Sequence, residues 1–211
     1  MFIGHYGVSL AAKRSTPELS LGWLFLAVQG LDVLFAGFVL LDIEHLKIVP
    51  GFTAYNPYDL FDMPITHSLL GSLAWSLVTC LVARLCRVSW RSAGVLAFAV
   101  FSHFVLDVPM HTPDMSIAGP GTPMLGFGLW NHRGLALLLE LLCFGAGVLV
   151  YARSFTGLTR GFWIFVAVLT VTLLTTPFLP APGGPAEFAV QALVAYVGLA
   201  WWASRVEAPA T

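Results

Sequence analysis

Charge is what this chain has least of. Of 211 residues, 10% are Asp, Glu, Lys or Arg, against about 25% in a soluble globular domain, so a water-facing surface of ordinary composition is excluded. Lys and Arg number 10 against 11 acidic residues, and they form no clustered basic face of the kind nucleic acid requires. Cysteine is almost as scarce. Cys80, Cys86 and Cys143 all fall within apolar runs; they make neither a disulfide framework nor a CxxC metal knuckle and read as inert thiols. No internal repeat and no soluble linker interrupts the chain. What is present is hydrophobicity: 58% of residues are apolar and mean hydropathy is +0.84. Runs of that length mark an integral membrane protein.

The expected architecture is all-α, a single transmembrane helical bundle over residues 1–211, with 1–111 carrying the polar residues and 112–211 a loop and scaffold helices. Six stretches, near 21–41, 67–86, 92–110, 134–152, 161–179 and 187–204, are long enough to cross a hydrocarbon core of about 30 Å. The first is too long and too far from the N-terminus for a cleaved signal peptide. Pro- and Gly-rich connections separate the spans at 49–64, 112–128 and 177–185. Lys13, Arg14, Arg84, Arg87, Arg91, Arg153, Arg160 and Arg205 fall on one set of loops, whereas Asp42, Glu44, Asp59, Asp62, Asp114 and Glu187 dominate the other. The positive-inside rule then places both termini in the cytoplasm. Residues 1–14 are too short to span; they form either an interfacial segment or a re-entrant helix that lifts His5 to the depth of Asp32.

Ionisable side chains at membrane depth cost at least about 2.5 kcal/mol unless partnered, which makes each one a functional candidate. Asp32 lies midway along the first span, His67 opens the second, and "SHFVLDVPMH" (102–111) carries His103, Asp107 and His111 at intervals of four. That interval stacks side chains on one helical face. Imidazole and carboxylate one turn apart can bind a divalent ion such as zinc, or can neutralise each other as a structural pair. Both readings are open for His103 and Asp107; Asp32 and His67, on other helices at compatible depth, favour metal. His5 joins them only if residues 1–14 are re-entrant. His111 is a ligand or a solvated loop residue, and Asp62 a ligand, a base or a loop charge. His45 and His132 read as exposed. Trp130 and Asn131 read as an interfacial anchor and cap, or as facing a ligand. Glu140 either supports the cluster or pairs with Arg133. The last two spans read as scaffold, and polar residues gathered in one half of the membrane suit a one-sided site better than a conduit.

An N-terminal "GHYG", an Asp in the first span, "THS" (66–68) and "SHFVLD" (102–107) together resemble a bacterial family of membrane-bound metal-dependent hydrolases, also described as LexA-binding, inner-membrane-associated hydrolases. The resemblance covers roughly residues 1–111. It implies an inner-membrane protein with one or two divalent ions, zinc first, held by His5, Asp32, His67, His103 and Asp107, with His111 an outer-edge candidate by its spacing alone. Where that family has His-Arg-Gly before its Thr-His-Ser, this chain has Asp62-Met63-Pro64, and Asp32 stands alone where the family tends to carry two aspartates.

Two functions of different class follow. One is hydrolysis of an ester or phosphoester in a membrane lipid or lipid-like small molecule, with metal-activated water as nucleophile and Asp32 or Asp62 as general base. The other is a non-enzymatic membrane protein, a metal transporter or a scaffold whose polar residues join helices. Paired broken helices in two related halves would mark the transporter, and structural glue would favour Ser, Thr, Asn and Gln over His and Asp.

Overall fold

A computed structural model describes residues 1–208. Among these residues the chain forms α1 (Ile3–Lys13), α2 (Leu21–Val28), α3 (Gly30–Leu40), α4 (Leu69–Leu85), α5 (Trp90–Met110), α6 (Arg133–Ser154), α7 (Arg160–Thr175) and α8 (Pro185–Val206). Two small antiparallel hairpins depart from the all-α expectation. β1 (His45–Ile48) pairs with β2 (Tyr58–Asp62) between α3 and α4, and β3 (Met115–Ser116) pairs with β4 (Met124–Leu125) between α5 and α6. Side-chain caps start several helices: Ser20, Ser68, Ser89 and Thr159 accept from backbone amides of the first turn of α2, α4, α5 and α7. Pro109 sits in the last turn of α5, and the backbone turns extended at His111.

Four helices, α5, α6, α7 with its following turn, and α8, are long and apolar enough to cross a membrane, and the α2–α3 pair makes a fifth if it counts as one span. The six expected spans are thus not all matched. α4 has 17 residues, about 26 Å at 1.5 Å each, short of a hydrocarbon core of about 30 Å. The stretch 21–41 is not one helix either: α2 and α3 meet at Gln29 with a 58° bend. The outer faces of the helices are apolar, with Leu77, Val171, Val194 and Trp201 exposed, as lipid-facing surfaces require.

α1 lies inside the bundle rather than along its surface: Ile3, His5, Tyr6 and Leu10 are fully buried. It packs mainly on α6, and also on α2, α5 and α7. Glycine permits that approach. A Cβ on Gly147 would stand 2.1 Å from the Gly7 carbonyl oxygen, and one on Gly7 2.1 Å from that of Cys143, so the two backbones touch as at small-residue helix crossings in membranes. At the C-terminal end of α1, the Lys13 ammonium meets the Leu19 carbonyl and Glu207 Oε2, the latter at 2.7 Å. Glu207 also accepts from Ser20 Oγ and the Leu21 amide, which joins the ends of α1, α2 and α8.

Candidate metal centre

Four segments converge on one point. α5 presents His103 and Asp107 one turn apart, with His111 at its end. α3 presents Asp32 in its first turn, just past the bend. His67 stands immediately before Ser68, the cap of α4, and α1 contributes His5. His103 Nε2 lies 3.0 Å from Asp107 Oδ2 and 3.4 Å from Asp32 Oδ1. His67 Nε2 is 3.3 Å from the same Asp32 oxygen, His111 Nε2 is 3.5 Å from Asp107 Oδ2, and His5 Nε2 is 3.2 Å from Asp107 Oδ1. The His5 and His103 rings stack at 3.9 Å, 11° from parallel. Asp32, with 19% of its side chain accessible, is the most open member; the others are buried. The sequence joins Asp32 and His67 to the α5 residues by depth, and His5 only if residues 1–14 turn inward; the fold brings all three together with His103 and Asp107.

The protons of the cluster follow from its outer partners. His103 Nδ1 is 2.8 Å from the Val28 carbonyl, beside the α2–α3 bend. A carbonyl only accepts, so Nδ1 carries the hydrogen and a neutral ring offers its Nε2 lone pair inward. His67 Nδ1 is 2.8 Å from Thr66 Oγ1, whose own hydrogen goes to Glu44 Oε2 at 2.7 Å. The hydroxyl must therefore accept from His67, and Nε2 again faces inward. His111 Nδ1 donates to Asp114 Oδ1 at 2.9 Å. Three imidazoles thus turn Nε2 toward carboxylate oxygens, and in the neutral ring that nitrogen carries a lone pair. Of the five approaches between imidazole and carboxylate, only that of His5 to Asp107 has hydrogen-bonding alignment, and buried His103 Nε2 has no hydrogen-bond partner. Outer hydrogen bonds that fix the ring tautomer are the usual surroundings of metal-ligating histidine.

Two overlapping groups have the spacing to hold an ion: His5, His103 and Asp107, and Asp32, His67 and His103. Around a tetrahedral ion with bonds of 2.0–2.1 Å, ligand atoms stand about 3.3 Å apart; the separations here are 3.0, 3.3 and 3.4 Å. The residues present could hold a metal ion. The Met1 amine also reaches Asp107 Oδ1.

Asp62 lies elsewhere. It sits in β2 and holds His45 Nδ1 at 2.6 Å, outside the convergence. His45 also meets Asp42 at 3.2 Å; the hydrogen bond from Asp62 leads in raising its pKa above the ordinary imidazole value, and the charges of Asp62 and Asp42 add to it. Glu140 pairs neither with Arg133 nor with the ligands. Its Oε1 accepts from the Phe2 amide and the Tyr55 hydroxyl, and its Oε2 from the Gly4 amide. It caps the otherwise open N-terminus of α1, while Arg133 Nε donates to the Ala54 carbonyl. Three contributors escaped the sequence reading. Glu44 accepts from the Ile65 and Thr66 amides as well as the Thr66 hydroxyl. The Tyr196 hydroxyl donates to Asp32 Oδ2 at 2.8 Å, and the Val28 carbonyl orients His103. Only Glu44, an acidic residue beside apolar sequence, carried any local signal.

A cavity of about 310 Å³ opens on the cluster, reaching Asp32, His67, Asp107 and His111. Its other walls come from the β1–β2 connection, the turn before α6, and the facing ends of α7 and α8. Tyr55 lines it; burial, then the charge of Glu140, raise its pKa, so the hydroxyl stays a donor. Comparison with family models, curated proteins and solved structures finds no match for this chain.

Proposed function

We propose that this protein is a membrane-embedded, metal-dependent hydrolase that cleaves an ester or phosphoester bond in a lipid or other amphiphile. The observation that carries the reading is the meeting of inward-facing imidazole Nε2 atoms and carboxylates at tetrahedral spacing beside a cavity. His67, His103, Asp32 and Asp107 are the ligands in this reading. The rings of His67 and His103 cross at 66°, which lets their lone pairs converge, whereas the parallel stack of His5 on His103 does not. Both candidate groups need His103 Nε2, and one lone pair serves one ion, so the stoichiometry is one. His5 and His111 flank the site and hold Asp107.

A zinc-type ion bound there supplies Lewis acidity and lowers the pKa of a water to about 7. The chain's own residues supply the rest. Asp32 Oδ1 faces the imidazoles, and its Oδ2, oriented by Tyr196, accepts the proton of the attacking water. Glu140 keeps α1 against the site, and the aromatic wall excludes bulk water. The Thr-His-Ser and Ser-His-x-x-x-Asp elements that resemble the bacterial hydrolase family provide the proposed ligands, which supports the same assignment. The setting we propose is the bacterial inner membrane, with both termini cytoplasmic and the site in the outer half. The placement of Arg84, Arg153, Arg160 and Arg205 near the ends of α4, α6, α7 and α8 away from the cluster supports that orientation.

Elemental mass spectrometry of the purified protein tests the centre. About one equivalent of zinc or manganese in wild type, lost in His103→Ala, is the expected result. No ion in either protein after reconstitution with excess metal would overturn the hydrolase and leave a structural His–Asp cluster.

A further inference from the structure

Resting on that reading and deepening it, we infer that the substrate is an uncharged, single-chain acyl ester whose chain lies between α7 and α8 and whose carbonyl oxygen is received by Trp130. The cavity sets the chain number. At about 310 Å³ it stands at the small end of ligand sites, which run from about 300 to 1,000 Å³, so it takes one chain and not two. Its floor beside the cluster is Phe35, Leu60, Met63 and Phe188, and Ala192 and Ala195 of α8 line one flank. Small side chains at those two positions leave room that larger ones would close. The way in is apolar as well. Leu179 lines the cavity and is 63% exposed, with Phe178 beside it at 65%, so a chain in surrounding lipid meets an apolar edge there, with Thr172, Thr176 and Gln191 the polar side chains on the same flank.

Charge decides the headgroup. Asp32, Asp107 and Glu140 all line the cavity, and among the described residues no Lys or Arg does; the Met1 amine at its wall is paired with Asp107. One divalent ion and the Met1 ammonium together balance Asp32, Asp107 and Glu140 and leave no positive charge over. A phosphoester would bring a further negative charge into a buried site whose ion and ammonium are already matched by carboxylates, a costly placement. A carboxylic ester brings none.

Trp130 supplies the remaining polar contact. It lines the cavity, is 94% buried, and its Nε1–H has no acceptor within the protein. A buried donor without a partner is uncommon and points to a ligand acceptor. The Trp130 ring is 4.1 Å from that of His111, which places the indole beside the cluster, next to where a scissile carbonyl would sit. In the reaction, water adds to the ester carbonyl carbon and the acyl C–O bond breaks. The proton taken by Asp32 Oδ2 passes to the departing alkoxide, giving one free fatty acid and one alcohol.

The test is photolabelling of the full-length, metal-assayed protein with a diazirine-bearing monoacylglycerol, competed by matched-chain monoacylglycerol, its ether analogue, or lysophosphatidic acid. We expect label on α7 and α8 around Thr172, Ala192 and Ala195, with the ester competing at least tenfold better than the lysophosphatidic acid. Ala192→Phe should cut labelling at least tenfold. Trp130→Phe should remove the preference for ester over ether, which a purely structural tryptophan would not do. Metal content in both variants stays at wild-type level, which separates these losses from misfolding. Equal or better competition by lysophosphatidic acid would overturn the uncharged headgroup and leave the hydrolase intact. Labelling unaffected by Ala192→Phe would overturn the cavity as the chain site. Labelling of the cavity in protein that takes up no metal would instead overturn the hydrolase reading.

Discussion

The two nitrogens of His103 have different tasks: Nδ1 donates to the Val28 carbonyl, and Nε2 looks into the cluster without a hydrogen-bond partner. The same division holds at His67 through a longer chain, in which Glu44 holds the Thr66 hydroxyl and that hydroxyl orients the ring. Removing the relay should weaken the metal without touching a ligand. Thr66→Val is expected to lower zinc affinity about 10–100-fold, the usual cost of losing an outer partner of a ligating histidine, as read by competition with a chromogenic chelator. Unchanged affinity would mean that packing alone sets the His67 ring. His103 and Asp107 were legible in the sequence because a four-residue interval on a helix is a contact in itself. Tyr196 was not, because its bond to Asp32 joins residues 164 positions apart and tyrosine is unremarkable in an apolar helix. Asp62 misled for the converse reason: near His67 in sequence, it is turned by its strand toward His45 instead.

At the scale of elements, α1 depends on a single carboxylate. Helix N-termini leave amides unpaired, and Phe2 carries no capping side chain for α1; Glu140 takes two of those amides and the Tyr55 hydroxyl besides. Glu140→Ala should orphan these donors at a cost of about 1–3 kcal/mol each. The expected outcome is a lower unfolding midpoint in detergent together with loss of protection of α1 amides in hydrogen exchange. Protection unchanged across Ile3–Lys13 would show that the glycine contact with α6 holds the helix alone. The β1–β2 hairpin carries a pH dependence of its own. Its His45 is raised by the Asp62 hydrogen bond, so the charged pair contributes fully below the ordinary imidazole pKa of about 6.5 and is lost as pH rises through the raised value. Amides of Tyr58–Asp62 should therefore exchange faster, after correction for intrinsic rates, at about pH 9 than at about pH 6, and His45→Gln should flatten the difference. Element types and order were largely readable because long apolar runs allow little but helix. The bend at Gln29 was not, since hydropathy is continuous across it and only "QG" interrupts the run. Hairpins of two to five residues are too short for any periodicity to declare them.

For the molecule as a whole, the cluster and eight of the ten basic residues lie at opposite ends, Lys47 and Arg133 being on the cluster side, and the orientation of this polarity decides which leaflet supplies the proposed substrate. His67 precedes the first turn of α4 and Cys86 caps its last, about 26 Å apart along the helix axis. Cys86 is exposed, and so is Ala118 in the β3–β4 connection near the cluster. These positions turn orientation into a labelling experiment. With Cys80 and Cys143 replaced by serine, Cys86 should react with a membrane-impermeant maleimide in inverted vesicles and not in intact spheroplasts. A variant carrying Ala118→Cys and Cys86→Ser should show the reverse. The expectation follows from the positive-inside rule, because Arg84, Arg87 and Arg91 surround Cys86 while the β3–β4 connection contains no Lys or Arg. Reversed labelling would move the cluster to the cytoplasmic leaflet, so that a substrate would come from newly made lipid rather than from the outer surface. Labelling of both positions from one side would mean that α4 and α5 do not carry the chain across together, the outcome that the 17-residue length of α4 makes worth testing first.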